Sequence, residues 1–247
     1  MAIYELKKID LKLAKAFVVA NHYAKNNPPI NKVALGLFKD NNLVGVSTWG
    51  YGVRPRHTIE KWFSGLKTNE YLELNRLCVL DSEPRNTESQ FLSLVVKYFK
   101  QNQPQLKVLT SWADGLRGKA GYVYQGSSWQ YQGKIQSEFY INQEKEVIHP
   151  RFLITKYGTR GIEIIQKLHL SKIRGFQFFY FKPLIKPKKF AKNHCVLPLL
   201  PYPKITDIKF WINTYEPNKW TETGQVAVVG ISNSTKKVPQ EQAGYLF

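Results

Sequence analysis

The stretch from Tyr71 to Trp112 limits the fold more than any other, because it reads as strand, helix, strand. Tyr71 to Leu80 alternates, with Leu72, Leu74, Cys78 and Leu80 on one apolar side, the period of a half-buried strand. After a break at residues 81–85, Thr87 is placed to cap a helix with Gln90 three residues on, and Phe91, Leu92, Val95, Val96 and Phe99 share one face. The helix closes near Gln101, before Pro104, and Leu106 to Trp112 is a short β-rich run. Two such strands lie parallel, joined by a right-handed crossover. Ligands of these sheets bind off the carboxyl ends of the strands and at the helix N-terminus. Here those ends carry Arg76, Arg85, Asn86, Ser111 and Asp114.

The flanking segments extend the pattern. Asp10 can cap a helix running to about Asn21, with Leu13, Ala14, Phe17 and Val18 on one face and His22-Tyr23 at its end. Asn26 to Pro29 breaks the chain, and Val33 to Phe38 pairs with Leu43 to Trp49 as an antiparallel hairpin across residues 39–42. Trp49-Gly50-Tyr51-Gly52 follows, with two glycines that let the backbone turn sharply or approach something closely. Residues 53–69 read as a basic, irregular segment holding Arg54, Arg56, His57, Lys61 and Lys67 with Trp62 and Phe63. Basic residues interleaved with aromatics suit a nucleic-acid strand; the alternative is a solvated loop with two residues tucked into the core. After residue 118, GYVYQGSSWQYQG reads as a short helix or turn leading into a last hairpin of the core.

Charge decides which partners suit the chain. Its 247 residues are 43% hydrophobic and 14% aromatic, enough for a core, yet they carry a formal net charge of +18. Basic residues spread over a folded surface suit a polyanion. They are densest over residues 143–204, where Lys145, Arg151, Lys156, Arg160, Lys167, Lys188 and Lys189 stand among many others and Glu144, Glu146 and Glu163 are the only acids. That stretch is either a phosphate-binding side or a solvated face; Phe176 to Phe181 within it reads as a strand. No apolar run approaches the roughly 18–20 residues of a membrane helix. The start, MAIYELKKID, lacks the apolar core of a signal peptide, so a cytoplasmic location is expected. Cys78 and Cys195 supply neither a disulfide framework nor a cysteine-rich zinc site, and Cys78 on its apolar strand reads as packing.

HExxH, GxSxG, P-loop and CxxC signatures are all missing. The order helix, hairpin, strand, helix, strand resembles the GNAT acyltransferase fold, with Glu83-Pro84-Arg85-Asn86-Thr87-Glu88-Ser89 in place of the usual glycine-rich pyrophosphate loop. A closer likeness runs through Glu73-Leu74-x-Arg76-Leu77, Arg85-Asn86-x-Glu88-Ser89-x-Phe91, Ser111-x-Ala113-Asp114 and Tyr124-Gln125-x-x-x-Trp129-x-Tyr131-x-Gly133. It extends to His22-Tyr23 upstream and to His149-Pro150-Arg151, Lys156-Tyr157-Gly158-Thr159 and Leu200-Pro201-Tyr202-Pro203-Lys204 downstream. In this set and order the chain resembles the Mom family of phage DNA-modification proteins; it departs from the family pattern at residues 117–121 and 176–181.

The resemblance implies a GNAT-like enzyme that adds a methylcarbamoyl or acetamido-type group to adenine N6 of duplex DNA, so that phage DNA escapes restriction. It implies Fe2+ dependence, and the fold implies acetyl-CoA or another acyl donor. The positions it marks are His22, Tyr23, Arg76, Asp114 and Tyr124. Arg76, Arg85, Asn86, Ser89 and Ser111 are the expected donor-binding residues, and Arg54, Arg56, Lys61, Arg151, Lys156, Arg160, Lys188 and Lys189 the expected DNA contacts. The expected architecture is α/β: a GNAT-like mixed central sheet with flanking helices over 1–142, a basic α+β extension over 143–204, and a tail or small satellite over 205–247.

Elementary chemistry is consistent with that reading. An enzyme acting on N6 in a duplex must extrude the base, and Trp49, Trp112, Tyr122 and Tyr124 are available to stack on it. The exocyclic amine is a weak nucleophile, so a carboxylate taking its proton helps; Asp114 is the candidate, although Asp-Gly at a strand end also makes a plain turn. His22 is a metal ligand, a base or only a helix cap, and His22, Asp114 and a tyrosine phenolate are the candidate iron ligands. Arg76 on an apolar strand needs an anionic or carbonyl partner, such as Glu73 or a phosphate. Two competing readings are an acyl-CoA-dependent N-acyltransferase on a small molecule or protein, and a non-catalytic DNA-binding protein.

Overall fold

Local chemistry sets most of the elements. A computed structural model describes residues 4–22, 31–52, 55–214 and 221–223. In chain order they form β1 (Tyr4–Lys8), α1 (Leu11–Asn21), β2 (Val33–Lys39), β3 (Asn42–Gly50), α2 (Pro55–Trp62), β4 (Tyr71–Val79), α3 (Thr87–Asn102) and β5 (Val108–Asp114). Then come α4 (Tyr122–Gly126), β6 (Gln130–Ile141), β7 (Val147–Ile148), α5 (Pro150–Tyr157), α6 (Ile162–Lys167), β8 (Ser171–Pro183), α7 (Pro187–His194), β9 (Phe210–Thr214) and β10 (Thr221–Thr223). The described residues fall into two compact units that interleave along the chain: unit 1 from 1–112, 121–133 and 179–202, unit 2 from 113–120, 134–178 and 203–247.

Unit 1 is built on one sheet in the order β1-β2-β3-β4-β5-β8-β6. The first four strands are antiparallel neighbours, and β4 runs parallel to β5. The hairpin between β2 and β3 turns on Asp40 and Asn41, at φ 48° and 62°, the left-handed geometry that a two-residue hairpin demands and that Asp and Asn tolerate. Asp10 caps α1, accepting the Lys12 N–H at 2.7 Å. Ala14 and Val18 then pack with Ala34, Val46 and Cys78, which makes Cys78 a core residue. Leu13, expected on the same face, is 48% exposed: the eleven-residue helix offers the sheet a narrower stripe than its sequence has apolar residues.

Two further expectations are corrected. The segment after Gly52 is a helix over Pro55–Trp62 and not an irregular loop, begun by a proline whose fixed φ suits a first helical turn. Trp62 and Phe63 are buried, stacked at 4.5 Å on Phe179 and edge-on to Phe181 respectively. At the start of α3 the cap is Asn86 and not Thr87, and the Thr87 hydroxyl donates back to the Pro84 carbonyl at 2.7 Å. The apolar face of α3 is as read, with Phe91, Leu92, Val95, Val96 and Phe99 all buried.

Phe178 to Phe181 are at most 1% exposed. The end of β8 lies between β5 and β6 in unit 1, so the apolar run inside the basic stretch is a central strand.

Unit 2 holds the rest of β6 and β8, with β7 paired to β6, β9 to β8 and β10 to β9, each antiparallel. Its core has two clusters, one of Leu116, Phe139, Ile141, Ile173 and Phe210, the other of Tyr140, Leu153 and Leu170 with α5 and α6 packed on it. Gly115 is required here, because a Cβ would collide with the Phe176 carbonyl oxygen. Among the described residues no helix is long and apolar enough to cross a membrane.

Candidate active site

β4 and β5 pair only over Tyr71–Glu73 and Val108–Thr110, yet both strands run on. They part after Glu73 and Thr110, and the chemistry-bearing residues follow that point. On the side of α3 and α4, Ser111 donates its hydroxyl to Tyr124 at 2.8 Å, both residues buried. The Tyr124 ring lies 5.4 Å from Trp129 and 5.1 Å from Tyr180, and Gln125 donates to the Tyr180 hydroxyl at 2.9 Å. Burial pushes the Tyr180 phenol up, so it stays protonated. Trp49 is fully buried against Phe99 and Trp129. It is core and not an open stacking platform, in contrast to half-buried Trp112 and Tyr122, which is 52% exposed.

At the parting point itself stands Glu73, which opens the family motif and is read from the sequence as a partner for Arg76 but given no part in the site. Glu73 accepts the Trp112 indole N–H at 3.1 Å, while Arg76 donates to the Asn75 carbonyl at 2.6 Å. Gly52, at φ +78°, comes so close that a Cβ there would lie 2.8 Å from Glu73 Oε1. Burial raises the Glu73 pKa and the indole hydrogen bond only partly offsets it. Beside it the Tyr71 hydroxyl is pushed up to about 12 by burial, by Glu73 and by Tyr51. The signal was present in the Gly50-Tyr51-Gly52 pattern; what approached those glycines was not legible. A shallow cleft of about 370 Å³ near the start of β4, lined by Lys32, Tyr51, Asn69 and Gln105, holds none of the expected site residues.

The loop before α3 lacks glycine, but Asn86 adopts a glycine-like left-handed conformation at φ 70°. Arg85 and Asn86 are exposed. Ser89 donates to the Val123 carbonyl at 3.2 Å, so its hydroxyl ties α3 to α4.

Asp114, in unit 2, sits at the end of β5. Its Oδ2 lies 3.3 Å from Arg117 Nε, whereas Oδ1 is buried with no hydrogen-bond partner among the described residues. Burial raises its pKa, opposed by Arg117, the Leu116 N–H and Lys119. A carboxylate held this way keeps one acceptor oxygen in reserve.

His22, in unit 1, is buried and closes α1 with its N–H on the Val18 carbonyl at 2.9 Å. Tyr23 and Arg54 lie outside the described residues, as does the side chain of Arg56. Among the described residues no three His, Cys, Asp or Glu gather to hold a metal ion. An iron centre therefore has no support among the described residues. Of the expected DNA contacts, Lys61, Arg151, Lys156, Lys188 and Lys189 are exposed, and Arg160 is paired with Glu138 at 3.0 Å.

The residues carrying this geometry fall inside a match to the Mom protein family model spanning residues 3–204. The chain belongs to the Mom family. The methylcarbamoylase mom of Escherichia phage Mu is 30% identical over 202 residues, covering 81% of this chain and 83% of that one. With that kinship this Mom-family chain is a transferase. Among solved structures, an N-acetyltransferase from Staphylococcus aureus Mu50 aligns over 75% of this chain and 100% of its own at 11% identity and a TM-score of 0.40. A putative acetyltransferase from Acinetobacter baylyi ADP1 aligns over 76% and 96% at 11% identity and a TM-score of 0.43. Superpositions this loose carry no argument about donor or substrate. The order of elements stands on its own: α1, hairpin, β4, α3, β5 is the order expected of a GNAT-like core.

Proposed function

We propose that this Mom-family transferase modifies DNA, adding a methylcarbamoyl-type group to adenine N6 after the base is extruded from the duplex. The observation that carries the mechanism is the buried, partnerless Oδ1 of Asp114. In the transfer, N6 attacks the donor's carbonyl carbon and the new N–C bond forms. The donor's leaving group departs with its bonding pair, and the N6 proton passes to Asp114. General-base help of this kind is worth about 10²–10⁴ in rate. Arg117 opposes the burial that raises the carboxyl's pKa. Tyr124, fixed by Ser111, and Trp112 are the aromatic candidates for stacking on the base. The net charge of +18 draws the phosphates in.

A CoA-type thioester would be held at the start of α3, its carbonyl bearing the group to be transferred (a methylamino substituent for a methylcarbamoyl product) and its thiolate the leaving group. Asn86 supplies there the backbone geometry that glycine provides elsewhere, and the helix N-terminus faces the pyrophosphate. The same feature is what favours the second reading, a small-molecule or protein N-acyltransferase, which predicts acyl transfer with DNA left unchanged.

The test is nucleoside mass spectrometry on plasmid DNA from cells expressing the protein, beside an Asp114→Asn control. A new deoxyadenosine adduct that disappears in the control supports the proposal, and its mass identifies the group. DNA that stays unmodified in cells rich in folded protein, together with acyl transfer to amines in vitro, establishes the second reading instead.

A further inference from the structure

Between α7 and Pro203 unit 1 carries an extended strap, Val-Leu-Pro-Leu-Leu-Pro-Tyr. Val196, Leu197, Leu199, Leu200 and Tyr202 are 40–52% exposed. Apolar side chains in such a row ordinarily find cover. Here they stay largely out although the strap is fastened at four points, three on its backbone and one through the Tyr202 hydroxyl. Val196 N–H donates to the Trp62 carbonyl at 3.0 Å, and Leu200 N–H to the Tyr131 carbonyl at 3.0 Å. Gln132 donates to the Leu197 carbonyl at 2.8 Å, and the Tyr202 hydroxyl to the Trp129 carbonyl at 2.6 Å. All four anchors come from buried residues: Trp62 of α2, Tyr131 and Gln132 of β6, and Trp129 just before β6. Pro198 and Pro201 fix φ and remove two N–H donors. The strap is thus a rigid apolar ridge, whose ordering cost is met before any partner arrives.

Charge chooses the partner. Lys188, Lys189 and Lys192 are exposed on α7, immediately before the ridge, and Phe190 holds that helix down against Phe63 and Phe181. No Asp or Glu occurs between Glu163 and Asp207. An apolar ridge set beside lysines, with no acid in its own stretch of sequence, matches a polyanion with an apolar interior, which is a stacked duplex. Leucine and proline wedges that part base steps while cations hold the flanking phosphates are a known mode of groove binding.

We propose that residues 196–202 form a wedge that enters a groove of duplex DNA and partly unstacks a base step, with the α7 lysines on adjacent phosphates. This rests on the DNA-modification reading above. It adds the surface that opens the stack, and so lowers the cost of extruding the neighbouring base.

The experiment uses the full chain and duplexes carrying 2-aminopurine at successive positions, whose fluorescence rises on unstacking, with binding followed against salt. For Leu199→Ala/Leu200→Ala the fluorescence rise is expected to fall at least about fivefold with the salt slope unchanged. For Lys188→Gln/Lys189→Gln the slope of log K against log salt is expected to drop by about two, roughly one per lysine. Should the double leucine variant melt early, the single variants Leu197→Ala and Leu199→Ala carry the test. Full unstacking by every leucine variant overturns the wedge. Concentration-dependent self-association of the wild type that the leucine variants abolish, without effect on DNA, overturns it in favour of a second copy of the chain. Adenine modification with unstacking untouched by the leucine changes sinks the wedge alone; leucine-dependent unstacking without any modified nucleoside sinks the enzymatic reading alone.

Discussion

Glu73 in unit 1 and Asp114 in unit 2 are both carboxyls raised by burial, and they differ in what they face. Glu73 meets an indole N–H and the backbone of a glycine, neither of which carries charge. Asp114 meets a guanidinium on one oxygen and leaves the other without a partner. Burial raises both; at Glu73 only the indole N–H opposes it, whereas at Asp114 a guanidinium, a backbone N–H and a lysine do. The first arrangement suits a group that holds structure, the second one that accepts a proton. Depth of burial alone would not have separated them.

The largest expected effect tests the second half of that contrast. Asp114→Asn removes the acceptor while keeping the shape, and adenine modification should fall by about 10²–10⁴. The wild-type rate should also decline as pH falls through a value above the ordinary aspartate range, since the working form is the anion and its pKa is raised. Nucleoside yields across pH check both.

Next in size is the glycine that closes on Glu73. Gly52→Ala puts a Cβ at a positive φ and against the carboxyl, and should cost about 1–3 kcal/mol in urea denaturation.

The raised pKa of Glu73 is tested by comparing Glu73→Ala with Glu73→Gln. Alanine leaves the Trp112 N–H without its acceptor, at about 1–3 kcal/mol, whereas glutamine still accepts that bond and should stay within about 1 kcal/mol of wild type near neutral pH. The sign with pH is fixed by linkage. A carboxyl whose folded pKa is raised binds more protons in the native than in the unfolded state once pH passes the ordinary value of 4.5. Stability of the wild type therefore falls, relative to Glu73→Gln, as pH rises from there through the folded pKa. Denaturation midpoints of the pair, measured from acid to neutral pH, should converge at the acid end and favour the glutamine variant above it. A difference that does not change with pH would remove Glu73 from the comparison.

The smallest effect lies on the other side of the sheet. Tyr124→Phe breaks the hydrogen bond to Ser111 and should cost about 0.5–1.5 kcal/mol of stability. A larger loss in modification than in stability would give the hydroxyl a part in holding the base.

The sequence by itself determined whatever repeats within a few residues. The Asp10 cap, the Asp40-Asn41 turn, the five-residue apolar face of α3 and the parallel return to β5 all follow from local periodicity and from the few residues that tolerate special backbone angles. The motifs that mark the Mom family are linear patterns too, so membership was legible. Only the tertiary structure decided the rest. It set β8 beside β5, because a strand's neighbour is chosen by pairing between distant segments and leaves no mark in spacing. It gave the left-handed turn before α3 to Asn86, where an asparagine took the role read as glycine's. It brought Gly52 and Trp112 to Glu73, contacts across 21 and 39 residues of chain. And it left Asp114 Oδ1 without a partner, since whether a buried oxygen is satisfied depends on every group around it, and those groups are assembled only when the chain folds.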